Sequence, residues 1–290
     1  MARPSLHGIH HVSAVTGHAA DNVRFYTQVL GLRLVTKTVN QDDTSSYHLF
    51  YGDETGAPGT DLTFFDVPHA RALQRGTGLI SGTSLRVRGT DSLEWWAERL
   101  DRHDVRHSGL HERAGRAALT FFDAEGQTLH LVDDSDDVDR VPDTTPWADG
   151  PVPVEHAIRG LGPVEMTVAD PDPTHSALTD AFGLREARPF TVEGDAAEGT
   201  TPDEAAAATV YETEPGGVAA ELHVVARPGA DRGWLGTGGV HHLALRTPDS
   251  DTIRDCRAHI VEAGLEPSPV IDRHYFESVY TREPGGILIE

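Results

Sequence analysis

Two histidine pairs, His10-His11 and His241-His242, each open an apolar run with strand-like alternation, and a carboxylate, Glu290, closes the last such run. Two imidazoles and one carboxylate converging from strands form the ligand set of a non-haem Fe(II) oxygenase, with coordination positions left for substrate and O2. Mn(II) accepts the same donors. The single cysteine, Cys256, excludes an internal disulfide framework and a cysteine metal cluster, so histidine and carboxylate must hold any iron.

The elements that would position these residues recur about four times. A first unit runs from His10 through Val15, a helix from near Ala20 to Leu30 stopped at Gly31-Leu32, and extended segments at Arg33 to Val39, Tyr47 to Tyr51 and Asp61 to Val67. A second begins near Gly82 to Val87, continues with a helix over Ser92 to His103, and ends on Ala117 to Phe122 and Gln127 to Val132. The third opens at Gly162 to Val168, has a helix around Thr174 to Phe182 stopped by Gly183-Leu184, and closes at Val218 to Val225. The fourth opens at Gly239 to Leu245, has a helix from Asp251 to Gly264, and closes with Ser278 to Arg282 and Ile287 to Glu290.

One helix and a few strands cannot bury both faces of a unit, so the units must pair. The ligands say how. Only units one and four open with histidine. Unit three has Glu165 where unit four has His242, and Glu221 on its closing strand; both are read as vestigial or surface carboxylates. Glu290 follows Pro284 by six residues, and at the same spacing after Pro58 unit one has Phe64. Units one and four together complete a triad, so they are expected face to face, with units two and three as the other pair. The fold class expected is α+β, four βαβββ modules paired one with four and two with three, in regions 1-146 and 147-290. The Pro/Asp-rich stretch Asp133 to Pro153 is the linker candidate; Glu193 to Ala208, acidic and alanine-rich, reads as an exposed loop, a lid or a short surface helix.

Adjacent strand residues face opposite ways, so one histidine of each pair can be a ligand. His11 and His242 are chosen because each leads into its alternating strand; His10 and His241 then lie just outside. Taken singly, each of these histidines reads as an ordinary satisfied polar residue of a strand.

The chain resembles the vicinal oxygen chelate superfamily, and within it the ring-cleaving dioxygenases that open hydroquinones. The resemblance covers almost the whole chain. It is carried by Leu6 to Val15, Tyr47 to Thr60, Ser92-Leu93-Glu94-Trp95-Trp96, Pro153 to Gly160, His241-His242, and Tyr275 to Arg282 leading to Pro284-Gly285-Gly286 and Glu290. It implies Fe(II) ligands at His11, His242 and Glu290, and substrate-contacting or outer-sphere roles at His10, Ser13, His241, Arg273 and Tyr280. A bound quinol must lose a proton, which an arginine, a tyrosine or a spare histidine would accept or whose negative charge they would stabilise. The bland alternatives are sheet packing for Tyr280, a surface ion pair for Arg273 and a small strand residue at Ser13. The family continues past the ligand glutamate with more strand and a tail, whereas this sequence ends on it.

Bulk composition narrows the partner. At 290 residues the chain can bury a sizeable core in one large or two medium domains. A net charge of -22 repels phosphate backbones and anionic lipid, against nucleic-acid or membrane-surface binding. No run approaches the roughly 20 apolar residues that span a bilayer, and no signal peptide is evident, so a cytoplasmic protein is expected. Expected partners are a small aromatic and O2; a homo-oligomer is compatible with the sequence. Lys37 is the only lysine, and runs such as Asp133 to Asp139 are strongly acidic, which fits surface carboxylates hydrating a protein in high salt or a GC-rich genome. Two rival functions share the pattern: a glyoxalase-type lyase, isomerase or thiol transferase using the metal as Lewis acid, and a non-catalytic binder of aromatic or drug-like molecules.

Overall fold

The computed structural model describes residues 5–41, 44–193, 205–273 and 276–290. Four units follow one another, three of them βαβββ and the fourth with its closing strands broken into shorter pieces. The first comprises β1 (Ile9–Thr16), α1 (Ala19–Arg24), β2 (Arg33–Val39), β3 (Tyr47–Gly52) and β4 (Asp61–Asp66). The second has β5 (Leu79–Val87), α2 (Thr90–Arg102), β6 (His107–Arg113), β7 (Arg116–Phe122) and β8 (Thr128–Asp133). The third has β9 (Leu161–Val168), α3 (Pro171–Ser176), β10 (Arg185–Val192), β11 (Ala206–Glu212) and β12 (Glu221–Ala226). In the fourth, β13 (Val240–Leu245) and α4 (Ser250–Glu262) precede four two-residue strands, β14 (Ile271–Asp272), β15 (Glu277–Ser278), β16 (Thr281–Arg282) and β17 (Leu288–Ile289).

The repeat extends to local detail. In units one and three the helix relaxes into a π-helical turn, Phe25–Val29 and Ala177–Ala181. Each turn is followed by a glycine at positive φ, Gly31 at 69° and Gly183 at 72°, the left-handed conformation that ends helices. The next leucine then donates its N–H back across the turn, Leu32 to Tyr26 and Leu184 to Leu178, both at 2.9 Å.

One mixed sheet runs β10-β11-β12-β9-β5-β13-β1-β4-β3-β2. At its centre β1 lies antiparallel to β13, and β5 antiparallel to β9. The opening strands of units one and four are therefore neighbours, as are those of units two and three. Alternation explains which side chains turn inward. In β4, Leu62 and Phe64 are fully buried in the core while Asp61, Thr63 and Phe65 face a cavity; in β3, Leu49 and Tyr51 go to the core, His48 and Phe50 to that cavity. The helices cover the core face: α2 buries Leu93, Trp96 and Leu100 at helical spacing, worth about 1.5–3 kcal/mol per large side chain.

Several expectations change on the structure. The third unit has two strands that the sequence did not disclose, β10 and β11. Ala206 to Ala208, grouped with the acidic loop, belong to β11, and residues 194–204 of that stretch lie outside the described residues. Within the acidic run, Asp134 and Asp137 hydrate nothing. Both are buried, Asp134 between Arg86 at 3.1 Å and Arg88 at 2.5 Å, Asp137 against Arg116 at 2.7 Å and Arg140 at 2.5 Å. The Asp133 to Pro153 connection packs on unit one, where Thr145 donates its N–H to Asp53 and Val152 is buried against Gly31.

Candidate metal centre

His11 reaches the site from β1, His242 from β13, and Glu290 directly follows β17. The last placement depends on main-chain bonds to β13: Glu290 donates its N–H to the Leu243 carbonyl at 2.9 Å, and its own carbonyl accepts from Leu245 N–H at 2.9 Å. The three side chains are almost wholly buried and their donor atoms converge. His11 Nε2 and His242 Nε2 are 3.3 Å apart, and Glu290 Oε2 lies 3.2 Å from the first and 2.9 Å from the second. They are the one group of three or more such donors found together among the described residues.

The donor set fits a divalent cation. Three ligands about 2.1 Å from one ion at right angles sit about 3.0 Å apart, and at tetrahedral angles about 3.4 Å. The observed spacings, 2.9, 3.2 and 3.3 Å, span these two values and suit three ligands of one ion. Glu290 Oε2 is buried beside both Nε2 atoms, and a cation among the three would satisfy it. Burial opposes ionisation of Glu290, yet the facing His11 and His242 outweigh it and hold its carboxyl well below the usual carboxylate range. Burial, against the hydrogen bond to Glu290, lowers His242 and favours the neutral ring that ligates metals.

The pairs are more closely coupled than alternation implies. In the β1–β13 register His10 and His241 are both skipped: Ile9 pairs with Leu245 and His11 with Ala244, then Ser13 with His242 and Ala14 with Val240. Each is the extra residue of a bulge, which turns its ring beside its neighbour instead of onto the opposite face. His10 Nδ1 lies 2.9 Å from His11 Nδ1, and His241 Nδ1 lies 2.7 Å from His242 Nδ1. With Nε2 of His11 and His242 as acceptors toward the centre, their Nδ1–H groups donate to His10 and His241, which fixes tautomer and orientation. Burial, then the neighbouring His11, pushes the pKa of His10 down to about 4, so it is a neutral acceptor.

A cavity of about 540 Å³ opens on this centre and includes the other expected residues. Tyr280 stands edge-on to His242, with ring centroids 5.7 Å apart, and the Arg273 guanidinium lies 5.1 Å above the Tyr280 ring. Burial and then the Glu290 charge raise Tyr280 to about 12, so it keeps its proton at neutral pH. Ser13 is buried and bonds Thr63 at 2.8 Å.

Among the cavity residues that sequence reasoning passed over are His48, Phe50, Asp61, Thr63, Phe65 and Phe276. The signal for His48 was its place on the non-core face of β3, opposite Leu49 and Tyr51. Phe65 flanks His241 and His242, and Phe276 flanks His10 and His11, so aromatic faces wall the centre. Burial raises Asp61 to about 7.

The unit-three carboxylates, expected to be vestigial or at the surface, are not at the surface. Glu165, 12% exposed, is ion-paired with Arg113 and accepts from Ser81 Oγ at 2.9 Å. Glu221 is fully buried between Arg116 at 2.8 Å, Arg188 at 3.1 Å and His223 at 2.9 Å. Across from Glu165, where the other pair has Ser13 against His242, stands Gly82; a Cβ there would come 2.7 Å from His130 Nε2.

A family model for the "Glyoxalase/Bleomycin resistance protein/Dioxygenase superfamily" matches residues 8–144 and 160–290. The chain belongs to this superfamily. Among similar members, the "Putative ring-cleaving dioxygenase MhqA" of Bacillus subtilis is 43% identical over 98% of this chain and 86% of its own length. The "Chlorohydroquinone/hydroquinone 1,2-dioxygenase" of Sphingobium indicum is 32% identical over 98% of this chain and 84% of its length. The crystal structure of a "putative dioxygenase" of Bacillus subtilis superposes with a TM-score of 0.84 at 33% identity, covering 99% of this chain and 85% of that one. Glyoxalase I from Zea mays, 14% identical with a TM-score of 0.67 over 97% of this chain and 90% of its own, shares the superfamily fold. No helix of the described residues is long and apolar enough to cross a membrane.

Proposed function

We propose that this protein is an Fe(II)-dependent ring-cleaving dioxygenase that opens a hydroquinone-like aromatic with O2, and that His11, His242 and Glu290 hold the metal. The observation that carries the reading is the convergence of those three donors at the wall of an aromatic-lined cavity large enough for a one-ring substrate. The names of the relatives supply the reaction class. An Fe(II) ion bound there would supply activation of O2 and of the phenolic oxygen.

The chain's own residues do the rest. Phe65 and Phe276 offer ring faces on either side of the triad and keep water from the reacting carbon. Arg273 and the protonated Tyr280 place a positive charge and an O–H donor beside His242, where the oxygen of the bound ring becomes negative. His10 and His241 hold the two ligand imidazoles in the tautomer that leaves Nε2 available.

The test is anaerobic loading with Fe(II), followed by O2 uptake with hydroquinone, methyl- and chloro-hydroquinone and catechol. Uptake with a hydroquinone, abolished by oxidation to Fe(III), is expected. Absence of uptake with every one of these substrates in fully loaded protein refutes the assignment.

A further inference from the structure

The cavity contains a second polar element besides the triad and its partners. Ser13, Thr63 and His48 come from the adjacent strands β1, β4 and β3 and all line it. Ser13 Oγ is 2.8 Å from Thr63 Oγ1, and Thr63 Oγ1 is 3.0 Å from His48 Nε2. Ser13 and Thr63 are each 1% exposed. The His48 ring is clamped between Phe50 and Phe65, with centroids 4.0 and 4.3 Å away. Hydroxyls donate and accept, so the chain can serve an incoming O–H in either direction.

The strand register sets the scale. His242 pairs with Ser13, Ser13 with Thr63 and Thr63 with Phe50, so one row crosses β13, β1, β4 and β3 with about 4.8 Å between strands. His242 stands at one end of that row and His11 two residues before Ser13 on β1, while Thr63 leads on to His48, two residues from Phe50 on β3. A catechol carries its two oxygens on neighbouring carbons, both within reach of one cation, and leaves this chain without a partner. A 1,4-dihydroxyarene has its oxygens across the ring, a span slightly longer than one strand spacing of about 4.8 Å.

We infer that Ser13, Thr63 and His48 anchor the distal hydroxyl of a 1,4-dihydroxyarene, and that His48 selects such rings over arenes lacking that group. The near end of the ring rests on the ring-cleavage reading above. Selection in binding is nevertheless separable from turnover.

The experiment uses protein loaded with Zn(II), which takes the same donors without redox chemistry. Calorimetry would measure binding of hydroquinone, catechol and 4-methylphenol to the wild type, His48→Phe, Thr63→Val and His48→Gln. The wild type should bind hydroquinone at least about tenfold more tightly than 4-methylphenol, the value of one buried hydrogen bond. His48→Phe fills the same slot without a nitrogen, and Thr63→Val keeps the volume without a hydroxyl. Both should bring the two ligands to similar affinity while leaving 4-methylphenol binding unchanged, and His48→Gln should restore part of the preference. If His48→Phe does not fold, Thr63→Val decides. A hydroquinone preference that survives both variants, or its absence in the wild type, overturns the inference. A preference that behaves as expected in a protein that never consumes O2 refutes ring cleavage and leaves the anchor standing.

Discussion

Replacing His10 or His241 tests whether the histidine pairs are functional units, because neither residue touches the proposed ion. With Nε2 of each proposed ligand facing the ion, each supplies the acceptor, at 2.9 and 2.7 Å, for that ligand's Nδ1–H. His10→Phe keeps a ring against Phe276, 5.4 Å away, and against His11, but removes the acceptor. The His11 Nδ1–H then loses its partner, and the ring becomes free to adopt the tautomer with a proton on Nε2, which cannot ligate. Loss of such an outer partner weakens metal binding by about 10–100-fold, or about 1.4–2.8 kcal/mol. His241→Phe should cost the same, and the double variant less than the sum, since both imidazoles serve one ion. Chelator competition with Zn(II) or Mn(II) measures the affinity, and a thermal melt without metal confirms that the fold persists. If His10→Phe and His241→Phe bind metal as the wild type does, the second histidine of each pair is packing alone and the account of the bulges is wrong.

Glu290→Gln keeps the shape of the ligand but not its charge, and should weaken metal binding beyond the outer-partner range of about 100-fold in the same assay. Arg113→Met leaves Glu165 buried without its cation and should lower stability by about 3–5 kcal/mol, whereas the double variant with Glu165→Met should recover most of that in urea unfolding. For Glu165 and Glu221, burial is outweighed by charge and hydrogen bonding, by Arg113 at the first and mainly by His223 and Arg116 at the second, leaving both carboxyls at about 2. Their contribution is complete above the ordinary glutamate value and is lost as pH falls toward about 2; unfolding midpoints that stay level from pH 6 to pH 3 would contradict this. Gly238 sits at φ 77° with the Glu125 carbonyl against the place of a Cβ, so Gly238→Ala should lower the melting temperature by several degrees, and an unchanged melt would deny the strain.

What was legible in the sequence was whatever obeyed a local period. β2 and β3 alternate, α2 and α4 repeat their apolar residues at helical spacing, and Gly31-Leu32 and Gly183-Leu184 punctuate matching helices, so four units could be counted. β10 and β11 escaped because Arg185–Val192 is polar on both faces and Ala206–Glu212 opens on alanines, leaving no period to read. The bulges at His10 and His241 are properties of pairing between residues more than 200 positions apart, invisible to any window on one strand. His48 was legible only as a residue on the non-core face of β3; its hydrogen bond to Thr63, on a neighbouring strand, is a tertiary contact that no window on β3 shows.

The two halves of the central sheet show why acidic residues on a shared scaffold resist reading by type alone. Glu290 and Glu165 are both nearly buried and both ionised, and both sit where opening and closing strands meet. Glu290 Oε2 faces the Nε2 atoms of His11 and His242 at 3.2 and 2.9 Å, an arrangement that a cation satisfies. Glu165 faces the Arg113 guanidinium and the Ser81 hydroxyl, donors that already satisfy it, and opposite it Gly82 leaves room for His130 rather than for an ion. A guanidinium brings its own charge and five N–H donors, so an arginine beside a buried carboxylate closes a site that a histidine would leave open. The partner of the acid, more than the acid, therefore separates the candidate metal centre from its structural counterpart, and Arg113 and His242 are the two residues on which that difference turns.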